Sequence, residues 1–65
     1  MSTNKPATQT AALGEPLIFV RVEGVYAINS MAGRDLRQQA EDNALLNPGT
    51  LRVEDAHGNV LWSLQ

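Results

Sequence analysis

A chain of 65 residues with no cysteine, one histidine and a formal net charge of -2 has room for one small domain, and it cannot be stapled by disulfides or a structural zinc site. Charged residues make up 18% of it and the two signs nearly balance, which argues against both a polyanion binder and an acidic nucleic-acid mimic. No apolar run approaches the roughly 18 residues of a membrane span. The opening MSTNKPATQTAALGEP lacks the apolar stretch of a secretory signal, so a soluble, cytoplasmic protein without membrane contact is expected.

Residues 1–16 are rich in Ser, Thr, Asn, Gln and Pro, and their few apolar side chains are mostly alanine. Such a segment buries too little to offset its ordering cost, so composition predicts a disordered N-terminal arm over 1–16 and a single small domain over 17–65.

The run Leu17-Ile18-Phe19-Val20-Arg21-Val22 is β-branched and aromatic. It is followed by Glu23-Gly24 and then Val25-Tyr26-Ala27-Ile28, a pattern that reads as a hairpin, with one longer strand bulged at Gly24 as the alternative. From Ser30 the pattern changes. Ser30 is a potential cap, and Ala32, Leu36 and Ala40 recur every four residues, which predicts one amphipathic helix over about Met31 to Asn43. Its apolar stripe is thin, with Gln39 and Asn43 close to it, so tertiary packing must hold it. Asn47-Pro48-Gly49 ends the helical region and a strand can restart at Thr50. Asp55-Ala56-His57-Gly58 then reads as a type I turn between Thr50–Glu54 and the strand of Val60-Leu61-Trp62-Ser63-Leu64. The order ββαββ predicts an α+β domain, a small antiparallel sheet of about four strands with one helix packed on one face.

Little in the chain points to chemistry. His57 stands at a turn tip beside Glu54 and Asp55, a grouping without a defined ligand geometry, and no metal site is assigned. A helix cap explains Ser30 and an outward strand position explains Ser63, and the five scattered glycines do not form a phosphate-cradling loop. No catalytic residue and no cofactor are expected. Enclosure sufficient for catalysis is hard to build in a fold this small, so the chain is read as no enzyme.

Both faces of the first strand carry apolar groups. Assigning Ile18, Val20, Val22, Val53, Trp62 and Leu64 to the helix-covered core leaves Leu17, Phe19, Tyr26 and Leu61 on the other side. That remainder is expected either to close into a small barrel, or under Leu45, Leu46 and the arm, or to serve as an interaction patch. The leading expectation is therefore a small regulatory or accessory module for protein–protein interaction that works as a homodimer and docks onto a further, unidentified protein through an apolar face or a free strand edge. The alternative is a nucleic-acid-binding regulator using Arg34, Arg37 and Gln38 of the helix, with Arg21 or Arg52 on phosphate. Asp35, Glu41 and Asp42 interleave with these arginines and oppose phosphate contact.

Overall fold

The computed structural model describes residues 13–64. Within them β1 (Leu13–Arg21) and β2 (Val25–Met31) precede α1 (Leu36–Leu46), which is followed by β3 (Thr50–Glu54) and β4 (Val60–Ser63). The strands form one antiparallel sheet in the order β2-β1-β3-β4 with a single helix, the expected ββαββ arrangement of an α+β fold. Among the described residues β2 and β4 lie at opposite edges, so the sheet is open there and does not close into the barrel alternative. β1 begins at Leu13, within the segment that composition placed in the arm; the rest of that segment, residues 1–12, lies outside the described residues.

β1 and β2 form a hairpin whose closing pair is Arg21 and Gly24. The Arg21 N–H donates to the Gly24 carbonyl at 2.9 Å and the Gly24 N–H to the Arg21 carbonyl at 3.3 Å. The two loop residues are therefore Val22 and Glu23, one position earlier than the turn signal suggested, and the register continues through Val20–Val25, Phe19–Tyr26, Ile18–Ala27 and Leu17–Ile28. At the second hairpin the Gly58 N–H donates to the Asp55 carbonyl at 3.1 Å, closing the predicted turn. Gly58 sits at φ 87°, left-handed backbone that glycine enters without a Cβ penalty.

The helix begins later than its alanine spacing suggested. Ser30 does not cap it: β2 continues through Met31, and Ser30 is buried in that strand. Asp35 is the N-cap, and its Oδ1 accepts the Gln38 N–H at 3.0 Å. The buried stripe is accordingly Ala40 and Ala44, with Leu36 one turn earlier and half-buried.

The strand faces are also reversed from the expectation. Leu17 (0% exposed) and Phe19 (5%) are core residues that cluster with Val53, Ala40 and Ala44, whereas Ile18 and Val20 lie half-buried on the face away from the helix. Val22 cannot strengthen the Ile18–Val20 row because it sits in the hairpin loop, 86% exposed. What remains is a choice between two rows, and the larger pair, Leu17 and Phe19, fills the space above which the fully buried helix residues are the small Ala40 and Ala44. Leu61 likewise belongs to the helix side. It is the extra residue where the β3–β4 register steps from Val53–Trp62 to Glu54–Val60, and both Leu61 and Trp62 pack against the core. A similar step between Val20 and Arg21 pairs Arg21 with Thr50, so Thr50 rather than Leu51 is buried.

α1 packs on β3 and β4. A helix is about 10 Å across and strands are spaced about 4.8 Å apart, so a single helix covers about two strands. The helix-side surface of β2, at the far edge, is left open.

Candidate functional site

The uncovered half of the helix-side face is built by three segments. Phe19 of β1 forms the floor, Tyr26 and Ile28 of β2 form one bank, and Leu46 at the end of α1 forms the other. Together they border an open groove of about 400 Å³ whose far end is closed by Arg21, Glu23, Asn47, Pro48 and Thr50. Tyr26 is 51% exposed, Ile28 45% and Leu46 77%. These three large apolar side chains share one surface because Tyr26 and Ile28 alternate on β2 opposite Phe19 and Leu17, and because the helix ends beside them.

The polar end of the groove is a closed hydrogen-bond system. Arg21 Nη1 donates to the Asn47 carbonyl (3.1 Å) and to Thr50 Oγ1 (3.2 Å), Nη2 donates to the Pro48 carbonyl (2.8 Å), and Nε donates to Glu23. Thr50 Oγ1 in turn donates to the Asn47 carbonyl at 2.7 Å. The guanidinium thus satisfies carbonyls just past the helix C-terminus, where a cation is favoured by the helix dipole. Gly49 permits this approach, since a Cβ there would stand 2.9 Å from Arg21 Nη2. The hydrogen bond from Arg21 lowers the Glu23 carboxyl below its ordinary range. With its donors engaged inside the chain, Arg21 is a clamp between the first hairpin and the helix–strand loop.

Of the expected interaction patch, Leu17 and Phe19 are buried and Leu61 is half-buried beneath α1, so the three do not form a free surface. The reason is the face reversal described above. Tyr26 alone remains available, and the structure joins it to Ile28 and Leu46. The face away from the helix has a different character: the Arg52–Glu54 ion pair lies along it, each member opposite Val20 or Ile18 in the register. A partner on that side would have to desolvate the pair.

The helix residues weighed for nucleic acid are exposed, and each makes contacts within the chain. Arg37 Nη1 contacts the Val60 and Leu61 carbonyls (3.5 and 3.4 Å), and Gln38 Nε2 donates to Glu41 and Asp42 (3.4 and 3.0 Å). Arg34 Nη1 lies 3.8 Å from Met31 Sδ. Arg21 and Arg52 each carry an ion pair. His57 is exposed, and its backbone N–H donates to Asp55 Oδ1 at 2.8 Å; among the described residues no group of three His, Asp or Glu could hold a metal ion. Among the same residues no helix is long and apolar enough to cross a membrane.

Among the described residues β2 is also an edge. The sequence offered a free strand edge as a contact without placing it, and the hairpin register identifies which groups face outward. Because Arg21 and Gly24 exchange both hydrogen bonds, the antiparallel alternation turns the N–H and C=O of Tyr26 and Ile28 toward β1 and those of Val25, Ala27 and Asn29 toward the free edge. Met31, next in that outward series, is already served: its N–H donates to Gln39 Oε1 (2.8 Å) and its carbonyl accepts from Gln39 Nε2 (3.1 Å). The seven residues of β2 include no charge and no proline, the usual guards of an edge strand.

Comparison with protein-family models, with curated proteins and with solved structures finds no match to this chain.

Proposed function

We propose that this chain is a non-catalytic protein-interaction module that works as a homodimer, joined through the uncovered half of its helix-side sheet face. The observation that carries the reading is the exposure of Tyr26, Ile28 and Leu46 side by side along an unguarded edge strand. A helix that covers two strands of four leaves apolar surface that a second copy can cover symmetrically, and isologous association is the commonest solution for small chains. The opposite face is the poorer candidate because the Arg52–Glu54 pair occupies it. Regulatory or accessory action would follow from docking the dimer on a further protein.

The test uses Leu46→Lys, a change at a side chain so exposed that the monomer fold is retained. Sedimentation equilibrium of the wild type should give twice the monomer mass at micromolar concentrations, and Leu46→Lys should shift the chain to monomer with an unchanged circular dichroism spectrum. An equal monomer–dimer balance in both proteins would overturn the assignment of the face, and a wild-type monomer at high concentration would overturn the reading altogether.

A further inference from the structure

We infer that the two copies join by antiparallel β2–β2′ pairing about a two-fold axis at Ala27, making one continuous eight-stranded sheet; this rests on the homodimer reading and specifies its geometry. The outward backbone groups of β2 belong to Val25, Ala27 and Asn29, with Met31 withdrawn by the Gln39 carboxamide. A two-fold at Ala27 pairs Ala27 with Ala27′ and Val25 with Asn29′, so every outward N–H and C=O of this series finds a partner. Centring the axis on Ile28 instead would place Val25 against the Met31′ groups that Gln39′ already holds. Centring it on Tyr26 would strand Asn29 beyond the partner's Val25.

The side chains support the same register independently. With the axis at Ala27, Tyr26 lies directly opposite Ile28′ on the helix side in a non-hydrogen-bonded pair, where side chains approach most closely and aromatic with β-branched combinations are favoured. The two grooves then merge into one apolar band between the two helices. Charge agrees too. The register sets the Val22–Glu23 turn of each copy next to Met31′ and its neighbour Arg34′, so the half-exposed Glu23 carboxylate, already held by Arg21 Nε, also faces a guanidinium that has no ion-pair partner among the described residues.

Because the native chain has no cysteine, the register can be read by introduced ones. A mixture of Tyr26→Cys and Ile28→Cys chains should form a disulfide-linked heterodimer on mild oxidation, since Cα atoms of such a pair stand about 4.5 Å apart, within disulfide range. Neither variant alone should cross-link to a comparable extent. Ala27→Pro is the second arm: its ring removes an N–H that faces outward and spares the β1–β2 ladder, so it should weaken dimerisation by about tenfold or more while the spectrum of the monomer persists. Efficient self-linking of Tyr26→Cys or of Ile28→Cys, or an Ala27→Pro protein that dimerises as the wild type does, would overturn this register while leaving the homodimer reading in place. A wild-type monomer would remove both.

Discussion

Replacing Arg21 with methionine keeps the aliphatic stem over the sheet and deletes the clamp that ties the β1–β2 hairpin to the end of α1. Three donor contacts disappear, to the carbonyls of Asn47 and Pro48 and to Thr50 Oγ1. The Asn47 carbonyl retains the Thr50 hydroxyl at 2.7 Å and the Thr50 N–H at 3.2 Å, so its loss is partial, whereas the Pro48 carbonyl is left to water. Hydrogen bonds from a charged donor contribute about 1.5–3 kcal/mol each when sheltered. The side chain is 22% exposed and its acceptors border an open groove, so the sum is closer to a single such bond, about 2 kcal/mol. In a domain of this size that corresponds to a fall in melting temperature of roughly 10 °C, provided protein concentration is held constant because dimerisation also raises apparent stability. Urea unfolding of wild type, Arg21→Met and Glu23→Gln, followed by circular dichroism, isolates the effect. Glu23→Gln removes only the exposed ion pair and should leave the midpoint unchanged. If Arg21→Met unfolds at the wild-type midpoint, or Glu23→Gln accounts for the whole loss, the guanidinium–carbonyl clamp does not hold the helix to the sheet.

Other perturbations probe the remaining elements. Leu17→Ala should cost about 3 kcal/mol by opening a cavity under α1, whereas Ile18→Ala on the opposite face should cost less than about 1 kcal/mol; equal effects in chemical denaturation would contradict the observed face assignment. Gly58→Val meets no atom within 4 Å but must hold φ near 87°, so thermal unfolding should reveal a loss of about 1–2 kcal/mol from backbone strain alone. Asp55 is held below the ordinary carboxylate range, first by the Asn59 side-chain amide and then by the Asn59 and His57 backbone N–H groups. A depressed folded-state value stabilises above the unfolded value and the benefit is lost as pH falls through the folded one. The melting-temperature gap between wild type and Asp55→Ala should therefore be widest above about pH 5 and close below it, and a gap independent of pH would refute the assignment.

The fold was legible where local chemistry acts alone. Asp55 and Gly58 encode their turn, and Asn47-Pro48-Gly49 stops the helix and lets β3 start at Thr50 as read. The helix start was not, because Ser30 and Asp35 are both competent caps and only tertiary pairing of β2 with β1 decides that residues 30 and 31 stay in the strand. The face of β1 was ambiguous for a related reason. Two apolar rows of similar strength compete on one strand, and the choice depends on Val22 falling in the loop, a one-residue shift in turn position that Glu-Gly does not specify. Once that choice was made the other way, Leu17 and Phe19 left the candidate surface and Ile28 joined Tyr26 in it. Leu46 was visible as an apolar residue at the helix end, but its neighbourhood with β2 depends on where the helix crosses the sheet. The outward backbone of Val25, Ala27 and Asn29 follows from the hairpin register and would have been readable from a correct loop.

The central claim, that a second copy covers the helix-side face at β2, is tested most directly by nuclear Overhauser contacts in a mixture of isotope-labelled and unlabelled chains, filtered for pairs that lie in different molecules. Intermolecular contacts from the Tyr26 ring to Ile28 and Leu46 methyl groups are predicted. Their absence at dimer-forming concentration, or intermolecular contacts arising instead from Ile18 and Val20 on the opposite face, would contradict it.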